Sequence, residues 1–227
     1  MRQRSVILAG PFPLATLPQV FPRAMVHAAI AAEAAGERRR RSLPAPLVVY
    51  LNLALAALPD HGSEEVLAEL LAALPARTRA GWRRASSTSI TAARRRLGPA
   101  VMHRLFTQVA APATPAMTEA AITVPVPASA DNRAAFTPAT PARPHLHVAA
   151  LVCPTGALHT ATWTPCPGTP ALAGDAEPLD LLPGAPVLRS RHAEGVIAEV
   201  WSALCLHQAA MALGLSPCRG GPEPRRA

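Results

Sequence analysis

The chain is expected to be an α+β protein, with an N-terminal helical bundle, then a few strands, then a C-terminal helix. Three observations predict this. Apolar residues recur at helical spacing from residue 23 to about residue 110. After Pro112 short strand-like runs and prolines replace them, and His192–Leu213 restores a long helical pattern. The implied segments are an N-terminal arm (1–22), a helical domain (23–112), strands with Pro-rich loops (113–187), a closing helix (188–216) and a disordered tail (217–227).

Each element has a local reason. Ala24–Ala35 is Ala-rich, with Gly36 as its stop and Arg38–Arg41 as a basic loop behind it. Pro44 or Pro46 opens a helix through Val48–Leu58, too short to span a bilayer and therefore read as buried. After the turn Pro59-Asp60-His61-Gly62, Ser63 is expected to cap a helix over Glu64–Leu74, with Glu64 and Glu65 at its positive end. Pro75–Ala85 is a basic connection. Ser86 and its hydroxyl-rich neighbours then cap a helix carrying Ile90, Ala93 and Leu97, and Gly98-Pro99 ends that helix and opens another through Val101 and Leu105. Ala121–Val126, His145–Val152 and Ala157–Trp163 look like strands, the last two joined around Pro154-Thr155-Gly156. Residues 164–186 show no period.

Charge narrows the function classes. All 22 basic residues are Arg, and the net charge is +8. Each guanidinium is a fork suited to phosphate or carboxylate, and the excess points to a polyanion, with nucleic acid ahead of a membrane surface. Arg94, Arg95 and Arg96 fan over more than half of the circumference of their helix, so they cannot all be paired within it. A short capped helix studded with arginine and joined by a tight turn to a second helix is a common way to meet DNA. A solvated charged face favoured by the helix dipole is the other reading, and these residues alone leave both open. Trp82, between Arg83 and Arg84, either stacks at such an interface or anchors the connection.

Other chemistries find little support. Cys153, Cys166, Cys205 and Cys218 lack paired-ligand spacing and read as free thiols in a reducing cytoplasm. His145 and His147 with Cys153 and Cys166 have the residue types of a zinc site, but no second pair has ligand spacing, so they are read as hairpin side chains. No nucleophile elbow or Gly-rich phosphate loop is present. Prolines break the apolar N-terminal run, which argues against a signal peptide. A cytoplasmic protein without a membrane partner is expected.

The run LPAPLVVYLNLALAALPDHGSEEVLAELLAAL, followed by RRRLGPAVMHRLF, closely resembles the N-terminal region of bacterial insertion element 4 transposases. DNRAAF, HLHVAALVCPTGALHTATWTP and LRSRHAEGVIAEVWSALCLHQAAMAL resemble later blocks of that family, in the same order. The resemblance implies a helical DNA-binding domain joined to a ribonuclease-H-like catalytic domain. In intact relatives two Asp and one Glu hold divalent ions, Mg²⁺ among them, which activate the attacking oxygen and stabilise the leaving one.

Compared residue by residue, that catalytic set is degenerate. The first Asp position falls on Ala120, with Glu119 as the nearest carboxylate. If Pro186-Val187-Leu188 is the strand of the second motif, Ser190 stands where its Asp would be; alternatively that section is deleted. Glu177 is the best candidate for the third motif, although Pro178 disfavours the helical setting. The resemblance therefore implies an incomplete ribonuclease-H-like fragment of two or three strands, DNA binding through Arg83, Arg84, Arg94, Arg95 and Arg96, and no cofactor of its own. Expected partners are the DNA of element ends and, through self-association or pairing, an intact transposase. The alternatives are a non-catalytic regulator of such an enzyme and a decayed reading frame without a stable fold.

Overall fold

The computed structural model describes residues 12–33, 43–136, 144–165, 177–182 and 184–215. A 3₁₀ turn over Leu14–Thr16 and α1 (Leu17–Val20) lead into α2 (Arg23–Ala32), α3 (Ala45–Ala57), α4 (Ser63–Ala73), α5 (Ala76–Arg79) and α6 (Ser87–Val109). Then follow β1 (Thr118–Pro125), α7 (Ala130–Phe136), β2 (His145–Val152), β3 (Leu158–Pro165), the two-residue β4 (Glu177–Pro178) and α8 (Ala193–Ala212). The fold is α+β, as the periodicities predict: helices first, a small mixed sheet, then one long helix. Gly36, Arg38–Arg41, residues 137–143 and the tail lie outside the described residues.

The bundle begins earlier than the arm boundary suggests. Phe12, Leu14, Leu17 and Phe21 are all buried, and Tyr50 donates its hydroxyl to the Phe21 carbonyl at 2.7 Å. Burial in this apolar setting raises the Tyr50 pKa to about 12, because the phenolate would lose its water. α3 is apolar on every side and buried almost throughout, which is what its short run predicts.

Two details differ from expectation. Gly62, not Ser63, is the N-cap of α4: Ser63 already has helical geometry, and Glu65 reaches back to accept the Gly62 N–H at 3.3 Å. The basic connection contains the short helix α5, opened by Pro75. At α6 the sequence signals hold. Ser86 accepts the Ser89 N–H, and Gly98 (φ 72°, ψ 171°) kinks the helix just before Pro99. That conformation belongs to glycine, and a side chain there strains the backbone.

The sheet order is β3-β2-β1-β4, one strand more than the two or three expected. β1 pairs antiparallel with β2 from Thr118↔Val152 to Pro125↔His145, and β2 pairs antiparallel with β3. β4 runs parallel to β1 through Ala120↔Glu177. Pro186–Leu188 is not a strand, since the fourth place in the sheet is taken by Glu177–Pro178 instead.

One core runs through both halves, with α8 as its axis. α8 packs along α6 and α3, and its far end holds the sheet. Gln208 accepts the Leu158 N–H at 2.8 Å and donates to the carbonyls of Val109 and Leu158. α8 is the helix among the described residues that is long and apolar enough to cross a membrane, yet 72% of that stretch is buried inside the fold.

His207 ties the strand β4 region to the hairpin. Its Nδ1 accepts the Leu182 N–H at 3.0 Å, so the proton sits on Nε2, which donates to the Gly156 carbonyl at 2.8 Å. Burial lowers the pKa of this ring from 6.5, with the Gly156 hydrogen bond opposing. The unfolded chain therefore binds the proton more tightly, and the contribution of His207 to stability is complete above about pH 6.5 and is lost as pH falls below it. Thermal melts across pH 5–8 are expected to show this decline, and it should be smaller in a His207→Gln variant.

Candidate nucleic-acid interface

The predicted arginine cluster divides into inward and outward members. Ser86–Ser89 present exposed hydroxyls at the start of α6, and Glu64 accepts the Ser87 N–H at 2.7 Å, fixing that end against α4. Trp82 is half-buried with its ring 6.0 Å from that of Tyr50, so it anchors the connection. This anchoring leaves Arg83 and Arg84 exposed on the adjoining surface. Arg79 is also exposed but spends its Nη1 on the Leu71 carbonyl at 3.0 Å.

Arg94 turns inward. Its Nε donates to Asn52 Oδ1 at 2.8 Å and its Nη2 to Glu199 Oε1 at 2.6 Å, with side-chain exposures of 18% for Arg94 and 11% for Glu199. Glu199 Oε2 accepts the backbone N–H groups of Arg189 and Ser190 at 2.8 and 3.1 Å. The Arg189 guanidinium completes the network on the carbonyls of His61 (2.6 Å), Leu58 (2.8 Å) and Pro59. Burial lowers the Arg189 pKa; Glu199 and Asp60 oppose this and Arg94 adds to it. These residues join α3, α6, α8 and the α3–α4 turn, and they form a structural lock.

Arg95 and Arg96 are exposed one and two residues further on. Arg95 lines a cleft of about 290 Å³ beside the start of α8, together with Thr91, Asp131, Ser190, His192 and Glu194. Asp131 there accepts the Ala193 N–H at 2.8 Å, so this wall carries carboxylates as well as arginine. Arg83 and Arg84 do not line this cleft.

The catalytic candidates do not converge. Glu119 and Glu177 are exposed on neighbouring strands, but the pairing of Ala120 with Glu177 puts Glu177 on the face of Ala120 and Glu119 on the other. Neither belongs to a three-ligand group among the described residues. His147 lies 3.4 Å from the Thr123 hydroxyl, Cys153 is buried against the Pro112 carbonyl, and Cys166 falls outside the described residues.

Sequence reasoning missed Asn52, Arg189 and Glu199. The signal was present: Asn52 interrupts the apolar run VVYLNLAL and Glu199 sits between Ala198 and Val200 on a helix with a wide apolar face. A polar group in such surroundings requires a buried partner.

Residues 11–107 match the family model of the insertion element 4 transposase N-terminal region. No curated protein and no solved structure matches the chain. The match spans α1 to nearly the end of α6, and with it Arg83, Arg84 and Arg94–Arg96, while Glu119 and Glu177 lie beyond it. Residues 11–107 are thus an insertion element 4 transposase N-terminal domain.

Proposed function

We propose that the chain binds the DNA ends of an insertion element through the outward arginines and does not itself carry out strand transfer. The observation that carries this reading is the exposure of Arg83, Arg84 and Arg95 within the matched domain, none of them drawn into the Arg94–Glu199 lock. Arg96 is exposed beside them, and Arg94 is withdrawn from the set because its guanidinium is committed inside the fold. In support of the catalytic half of the reading, a sheet of three antiparallel strands with a fourth parallel to the first fits a ribonuclease-H-like fragment. Opposite-facing Glu119 and Glu177 cannot share the metal pair that strand transfer needs.

The test is titration of the purified chain with a duplex carrying an element end, with and without Mg²⁺. Saturable binding with the duplex left uncut is the expected result. Absence of binding at low salt overturns the DNA reading, and Mg²⁺-dependent cleavage overturns the inactive one.

A regulatory role is a second reading, favoured by the retention of a sheet and closing helix without a usable carboxylate set. On this reading the chain occupies element ends or pairs with an intact transposase. Co-expression with a full-length relative is then expected to lower transposition, and unchanged transposition removes this reading.

A further inference from the structure

A cluster separate from the arginine surface lies where α3 turns into α4. His61 closes the turn, and Glu65 and Glu69 follow at intervals of four residues, stacking on one side of α4. One ligand atom from each lies within 4.8 Å of the others, and His61 Nε2 is 3.6 Å from Glu69 Oε1. The His61 ring faces Glu69 with its Nε2, while its Nδ1 is buried with no hydrogen-bond partner among the described residues.

The backbone beneath this cluster is fixed from both sides. Arg189 donates to the His61 carbonyl at 2.6 Å, and the His61 N–H is 3.3 Å from the Leu58 carbonyl. Four of the chain's 14 acidic residues, Asp60, Glu64, Glu65 and Glu69, fall in these ten positions. Arg189 is the cation packed against the turn, and Glu64 is engaged with the Ser87 N–H.

We propose that His61, Glu65 and Glu69 form a binding site for a divalent transition-metal ion of the Zn²⁺ class. One imidazole nitrogen and two carboxylate oxygens leave a fourth position for water, the ligand set of an open zinc centre. Tetrahedral zinc sets its ligand atoms about 3.4 Å apart, so small rotations of two exposed glutamates close the gap. The nitrogen donor disfavours Mg²⁺, which prefers oxygen ligands and keeps its waters. Without an ion Glu65 and Glu69 repel one another along the helix; with one, the α3–α4 turn is pinned to α4. This site does not rest on the DNA reading.

The experiment uses the full chain, with Zn²⁺ or Mg²⁺ chloride as the only ligand, followed by calorimetric titration and thermal melting. One Zn²⁺ bound per chain is expected, with a rise in Tm of several degrees and no comparable response to Mg²⁺. His61→Gln and Glu69→Gln should each weaken Zn²⁺ binding on the order of ten-fold or more. No stoichiometric uptake, uptake by both variants equal to that of the parent, or equal affinity for Mg²⁺ overturns the proposal. The Glu69 side chain is 44% exposed, so Glu69→Gln keeps the fold and decides the matter even if the His61 variant does not fold.

Discussion

Glu199→Ala is expected to destabilise the protein by about 3–5 kcal/mol, the range for removing one partner of a buried ion pair. The carboxylate receives the Arg94 guanidinium and two backbone N–H groups, and its side chain is only 11% exposed. Its loss strands Arg94 between α3 and α8 and leaves the Arg189 and Ser190 amides without an acceptor. For a chain of this size the shift corresponds to a fall in Tm on the order of 10 °C. Glu199→Gln keeps an acceptor and the side-chain shape and should cost less. The double variant Arg94→Met/Glu199→Leu should cost less than the sum of the single Arg94→Met and Glu199→Leu variants, because no charge is left alone. Urea titrations of these variants measure each value. A Glu199→Ala variant within about 1 kcal/mol of the parent would show that apolar packing alone docks α8.

This lock also marks the limit of what could be read from residue order. The kink of α6 was legible because Gly98-Pro99 acts locally, and β2 was legible because His145–Val152 alternates against one buried face. The fan of Arg94–Arg96 showed that not all three could pair within their helix, but not which would turn inward. That choice is made by Glu199, 105 residues away. β4 left no periodic signal because it is two residues long, contains Pro178 and exists only by pairing with β1. The same non-local pairing decides that Glu119 and Glu177 face apart. The N-terminal domain was readable from its own pattern and blocks, while the geometry of the carboxylates needed the sheet.

Replacing Arg83, Arg84 and Arg95 together by alanine should lower the slope of log K against log salt by at most about 2.7, at about 0.9 for each phosphate that is no longer neutralised. Counterion release makes this slope a better measure than affinity at one salt concentration, because it reports how many phosphates the protein neutralises. The three side chains are exposed and outside the Arg94–Glu199 lock, so the variant should melt with the parent, and a change in slope then belongs to the DNA. The effect should be uneven. Arg95 shares its cleft with Asp131 and Glu194, which oppose a phosphate, so Arg83→Ala/Arg84→Ala should account for most of the change. Arg104 is a control, since it is already held by Glu33 at 2.8 Å and its alanine variant should leave the slope near that of the parent. Anisotropy titrations of one duplex at several salt concentrations give all these slopes. If the triple variant keeps the parental slope, the DNA is held elsewhere on the chain and the interface assigned to the start of α6 is wrong. If Arg94→Ala lowers stability but leaves the slope unchanged, its place inside the fold accounts for it fully.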